Sequence, residues 1–141
     1  MRKMWSRLFT VIVCLGLLPS CSAFRKQRVA VSGTFLCGSQ PASGVRIKLI
    51  DDDTGPDPDD ELDAGYTDTS GRFRLAGETR ELTTIDPRIK AYHDCNDHGI
   101  PCQRRLKILI PDKYINSNKD FELGTINLEV EMDDEERDCI H

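Results

Sequence analysis

Glu81–Cys102 reads ELTTIDPRIKAYHDCNDHGIPC, and Gln103–Pro111 continues it as QRRLKILIP. Ile89, Ala91 and His93 alternate with Arg88, Lys90 and Tyr92. That period of two sends successive side chains to opposite faces of a strand, one face buried and one wet. After Cys102 the pattern resumes: Leu106, Ile108 and Ile110 alternate with Arg105, Lys107 and Leu109. Pro111 lacks the backbone donor and ends the strand. Cys95 and Cys102 therefore fall where a β-hairpin turns.

Working outward, the same period dominates. Val29–Cys37 reads as a first strand, ended by Gly38 and a Pro41–Gly44 turn. Val45, Ile47 and Leu49 alternate with Arg46 and Lys48 in a second. Residues 64–68 and 72–75 flank Thr69-Ser70-Gly71 and are expected to pair as a hairpin, with glycine supplying the positive φ. Phe121–Val130 reads as the last strand. No segment keeps a helical period over three turns. About seven short antiparallel strands separated by turn residues predict an all-β fold, a β-sandwich. No internal repeat and no second domain are evident.

Met1–Ala23 has the layout of a secretory signal peptide: Arg2, Lys3 and Arg7 precede the apolar run Leu8–Leu18, followed by small residues up to Ala23. Eleven apolar residues fall short of the roughly 20 a membrane-spanning helix needs, and no later stretch supplies them. The expected organisation is a signal peptide at 1–23, a β-sandwich domain at 24–130 and an acidic C-terminal tail with Cys139 at 131–141. Three of the 19 basic residues and none of the 24 acidic ones leave with the signal, so the mature chain carries −8. A phosphate backbone would repel such a domain, which excludes general nucleic-acid binding. The expected location is extracellular.

Cys37, Cys95, Cys102 and Cys139 remain after cleavage. Four cysteines in an oxidising compartment read as two disulfides, with three possible connectivities. Paired thiols leave no nucleophile for Cys–His chemistry, and no serine sits in a nucleophile elbow. His93, Cys95, His98 and Cys102 are crowded, but the cysteine spacing is wrong for tetrahedral zinc. The segment DDDTGPDPDDELD (51–63) holds eight acidic residues in thirteen. It fails as an EF-hand, because Pro56 and Leu62 occupy the sixth and twelfth positions. It reads first as a solvated connection, with a looser calcium site at Asp51, Asp53 and Asp59 as the minor reading. The chain is thus expected to be non-enzymatic, with no cofactor and no assigned metal.

One surface carries a sharper expectation. If the strands holding Arg46, Arg88 and Arg105 are sheet neighbours, Arg46, Lys48, Arg88, Lys90, Arg105 and Lys107 form a basic stripe on an acidic domain. Such a face suits an anionic lipid or glycan surface or an acidic protein partner. The plainer reading is a wet sheet face whose cations pair with nearby Asp and Glu.

Several motifs in order, VSGTFLCGSQPASGVRIKLIDDD, DPDDELDAGYTDTSGRF, ELTTIDPRIKAYHDC, PCQRRLKILIP and the terminal RDCIH, make the chain similar to the nematode transthyretin-like family. The resemblance covers nearly all of Val29–His141. It implies a secreted transthyretin-like (prealbumin-like) sandwich of two antiparallel sheets, with the strands at Arg46, Arg88 and Arg105 in one sheet and the four cysteines at one end. The 5-hydroxyisourate hydrolases of the wider superfamily have a histidine in the first strand and a Y-R-G-S ending. Both are missing from Val29–Cys37 and Arg137–His141, so the resemblance implies no such activity. Family likeness does not name a ligand. The expected role is an extracellular binding or adaptor protein, the alternative a carrier of a small hydrophobic ligand.

Overall fold

The computed structural model describes residues 23–53 and 58–140. The expected signal segment up to Ser22 lies outside the described residues, as do positions 54–57 of the acidic segment. The chain forms β1 (Arg25–Cys37), β2 (Gln40–Pro41), β3 (Arg46–Asp51), β4 (Asp60–Tyr66), β5 (Arg72–Glu81), β6 (Pro87–His93), β7 (Gln103–Leu109), β8 (Phe121–Asn127) and β9 (Glu136–Asp138). A 3-10 turn spans Asp112–Tyr114.

These strands make two sheets. In one, β1 pairs antiparallel with β2 and β5 and parallel with β8. The other runs in the order β4-β3-β6-β7-β9. The alternating residues of each strand meet between them: Val29, Val31 and Phe35 from β1, Ile47 and Leu49 from β3, Ile89 and Ala91 from β6, and Leu106 from β7, all buried. Phe35 and Phe73, on neighbouring strands of the first sheet, stack within this core with ring centroids 5.1 Å apart. The architecture is the disulfide-stapled all-β sandwich expected of the alternation. The bridges are Cys37–Cys95, which ties β1 to the end of β6, and Cys102–Cys139, which ties the start of β7 to the C-terminal segment.

Two pairings differ from expectation, the first being the parallel β8 beside β1, where antiparallel strands were expected. Residues 64–68 and 72–75 do not form a hairpin. β4 pairs with β3 in one sheet, and β5 pairs with β1 in the other, from Arg25↔Glu81 to Thr34↔Arg72. The intervening Asp68–Gly71 turn carries the chain between sheets. Asp68 accepts hydrogen bonds from the Ser70 and Arg72 amides, and Gly71 (φ 76°) packs so close that a Cβ would lie 2.2 Å from the Phe35 carbonyl oxygen. A glycine of positive φ serves a sheet-to-sheet corner as well as a hairpin, so the turn was legible and its partners were not. The acidic C-terminal stretch also contributes structure, since β9 closes the edge of the second sheet against β7.

Candidate functional site

β3, β6 and β7 are neighbours, and their register sets the outer face of the second sheet. One row across it is Arg46–Tyr92–Arg105, the next Lys48–Lys90–Lys107, the third Ile50–Arg88–Leu109. Period-two alternation fixes this outcome: with Ile47, Leu49, Ile89, Ala91 and Leu106 inside, the six cations must lie outside. The structure thus brings together Arg46, Lys48, Arg88, Lys90, Arg105 and Lys107.

Three ammonium groups in one row repel each other, and the structure surrounds them with carboxylates. Lys107 lies 3.0 Å from Asp52, and Arg88 lies 2.9 Å from both Asp52 and Asp86. Lys90 pairs with Asp59, and Lys48 sits 3.6 Å from Glu61. Arg105 pairs with Glu136 and, at 2.8 Å, with Asp138. Arg46 donates to the Tyr66 hydroxyl at 2.9 Å and lies over its ring, while Lys48 lies over Tyr92. Burial raises the Asp52 pKa, but Lys107 and Arg88 outweigh burial and hold it below the usual aspartate value. Asp52, Asp59 and Glu61 come from the acidic segment, and Glu136 and Asp138 from the acidic C-terminal stretch. The two acidic stretches, together with Asp86, supply the counter-charges of the basic stripe.

The residues around this charged network are mixed. Tyr66 (61% exposed) and Leu109 (53% exposed) stand at its margins, whereas Tyr92 is buried between Arg46 and Arg105. Burial also raises the Tyr92 pKa.

The end of the sandwich that carries the bridges is built around Arg104, which is fully buried. Its guanidinium donates to the carbonyls of Cys95 (2.6 Å), Leu128 (2.8 Å) and Val130 (3.3 Å) and forks onto the Glu135 carboxylate. Burial pushes the Glu135 carboxyl up, and the Arg104 bond more than reverses this, leaving it below its ordinary value. Sequence reading did not single out Arg104, though a signal was there: it shares the phase of Leu106 and Ile108, and so faces inward. Nothing local announces Glu135.

His93 pairs across the hairpin with Arg104 and is 4% exposed. Its Nδ1 accepts a hydrogen bond from the Cys95 amide (3.1 Å), so a neutral imidazole carries its proton on Nε2. That N–H is buried and has no acceptor among the described residues. Burial and then the Arg104 charge lower the His93 pKa to about 4. His93 also lines a cavity of about 330 Å³ together with Cys37, Ala42, Val45, Cys95 and Leu128. His98 stands apart, in the turn between the two hairpin cysteines, with a φ of 57°.

The His93 shift carries a pH dependence. Because the folded pKa lies below the unfolded value near 6.5, the unfolded chain binds more protons between pH 6.5 and 4, and stability falls as pH falls through that window. The full shift corresponds to on the order of 3 kcal/mol. Urea unfolding from pH 7 to 4 should show this loss, and His93→Asn, which retains an acceptor for the Cys95 amide, should flatten it. Parallel curves for the two proteins would remove His93 as the cause.

No helix among the described residues is long and apolar enough to cross a membrane. Residues 32–111 match the model of the transthyretin-like family. Among curated proteins of Caenorhabditis elegans, the chain is 46% identical to transthyretin-like protein 46 over 140 residues, covering 96% of this chain and 77% of that one. It is 46% identical to transthyretin-like protein 33 over 119 residues, covering 82% and 83%, and 42% identical to transthyretin-like protein 5 over 137 residues, covering 93% and 99%. The chain belongs to the transthyretin-like family.

Proposed function

We propose that this protein is a secreted, non-enzymatic adaptor that recognises an extracellular protein partner through the outer face of β3, β6 and β7. The observation that carries this reading is the register that gathers six cations into adjoining rows, beside exposed Tyr66 and Leu109. Arginine and tyrosine on one patch are the composition of interface hot spots. A partner surface with its own carboxylates and donors can exchange ion pairs with this network. A uniform anionic membrane has to displace Asp52, Asp59, Glu61, Asp86, Glu136 and Asp138 without offering them a replacement, which favours a protein over a lipid surface.

Photocrosslinkers placed at Tyr66 and Leu109 of the oxidised chain, incubated with secreted nematode protein, test the face directly. The expected result is a discrete protein adduct from both positions, weakened by salt and lost when Arg46→Glu, Arg105→Glu and Lys107→Glu are combined in a chain that still folds. Salt-sensitive flotation with phosphatidylserine vesicles and no adduct would move the reading to a membrane surface. An adduct unaffected by the charge reversal would overturn the role of the cations.

A second reading, carriage of a small apolar ligand, is favoured by the cavity beside Cys37–Cys95. Its volume of about 330 Å³ sits at the lower edge of small-molecule sites, and Ala42, Val45 and Leu128 line it with His93. A small apolar ligand should then co-purify with the chain from native material and be seen by native mass spectrometry. A clean, empty protein would discard the carrier reading.

A further inference from the structure

We propose that Asp51, Asp53 and Glu81 form a calcium site at the end of the sandwich opposite the disulfides. Asp51 ends β3 and pairs with Pro87 at the start of β6, whereas Cys95 follows the far end of β6. Glu81 ends β5. The topology therefore brings a carboxylate of the first sheet onto two that begin the acidic segment. One ligand oxygen from each residue lies within 4.8 Å of the others. Calcium–oxygen bonds run about 2.3–2.6 Å, so oxygens on opposite sides of one ion stand roughly 4.6–5.2 Å apart. A single ion reaches all three without moving the backbone.

The cluster by itself would be an ordinary acidic patch, but Asp51 is not an ordinary surface residue. It is 3% exposed, and its Oδ1 accepts the Asp86 amide at 2.7 Å. Its Oδ2 is buried with no hydrogen-bond partner among the described residues. A buried carboxylate oxygen without a donor is costly, and a cation or a shared proton relieves that cost. The neighbouring carboxylates are already committed elsewhere, Asp52 to Arg88 and Lys107, and Asp59 to Lys90.

All-oxygen, all-carboxylate donors are hard ligands and select calcium or magnesium over zinc or copper. Three carboxylates gathered from the ends of two strands, with water completing the shell, suit the flexible six-to-eight-fold coordination of calcium better than the strict octahedron of magnesium. Of the three aspartates in the sequence-level calcium reading, Asp51 and Asp53 take part. Asp59 does not, because Lys90 holds it; Glu81 stands in its place. The site adjoins the partner face, since Asp52 lies between Asp51 and Asp53 in the chain and pairs with Arg88 and Lys107.

Calorimetric titration and thermal melting of the oxidised chain, with calcium chloride, magnesium chloride or EDTA at pH 7.4, test the proposal. The expected dissociation constant for calcium is about 0.1–1 mM, as in extracellular modules, with a melting temperature raised by several degrees in 10 mM calcium and at least tenfold weaker magnesium binding. Glu81→Gln should abolish the calcium response while raising the melting temperature in EDTA, since it removes a repelling charge without removing packing. Glu78→Gln, the same charge change on the same strand, should respond like the parent. No calcium-dependent shift at 10 mM, an equal shift from magnesium, or an undiminished shift in Glu81→Gln would each overturn the site.

Discussion

A guanidinium does not give up its charge, so Arg104, once buried, has to collect acceptors from whatever packs around it. It takes carbonyls from the β6–β7 turn at Cys95 and from the chain leaving β8 at Leu128 and Val130, and a carboxylate from Glu135. These segments are distant in sequence and would not otherwise share a fixed geometry. Removing one partner of a buried pair typically costs about 3–5 kcal/mol, which is the scale on which this end of the sandwich is held. Beside it, Cys102–Cys139 pins the same C-terminal segment covalently. Together they set the position of β9, and β9 delivers Glu136 and Asp138 to Arg105. The buried cation thus organises part of the charged outer face.

That face is best understood as a neutralised network. Five of the six cations meet carboxylates from the acidic segment, from the residue preceding β6 and from β9, and Arg46 meets the Tyr66 hydroxyl and ring. Surface ion pairs singly contribute little, about 0–1 kcal/mol each. Half-buried pairs in adjoining rows are screened less by salt, and they fix the side chains in a pattern that a partner can read. At the opposite end Asp51 presents the contrasting case. Its buried Oδ2 has no donor among the described residues, and the carboxylates of Asp53 and Glu81 lie close by. Where Arg104 is satisfied from within the chain, Asp51 calls for something from outside it.

The alternation in Arg88–His93 and Arg105–Ile110 made the hairpin, its bridged turn and the outward cations legible. Those depend on period and turn chemistry, which are local. The sheet assignment of β4 and β5 was not legible, because Gly71 specifies a tight corner and says nothing of which strands flank it across space. That the cations pair with nearby Asp and Glu was the plainer reading of the sequence, but which acids they meet was not legible, for the same reason. Asp52, Asp59 and Asp138 look like solvated acids in the sequence, and only the register shows which cations they face. Glu81 joins Asp51 and Asp53 through contact between the two sheets, across thirty residues of chain. Arg104 could have been placed inside from its phase with Leu106 and Ile108, yet its partner Glu135 carries no such mark.

The most direct test of the account is competitive acylation of the lysine amines in the native, oxidised chain, read residue by residue by mass spectrometry. Lys48, Lys90 and Lys107 should react several-fold more slowly than the exposed Lys113 and Lys119, and should approach them in high salt or when Asp52 and Asp59 are changed to Asn. Uniform reactivity at low salt would mean that the row is open and unpaired, and would contradict the neutralised face on which this account rests.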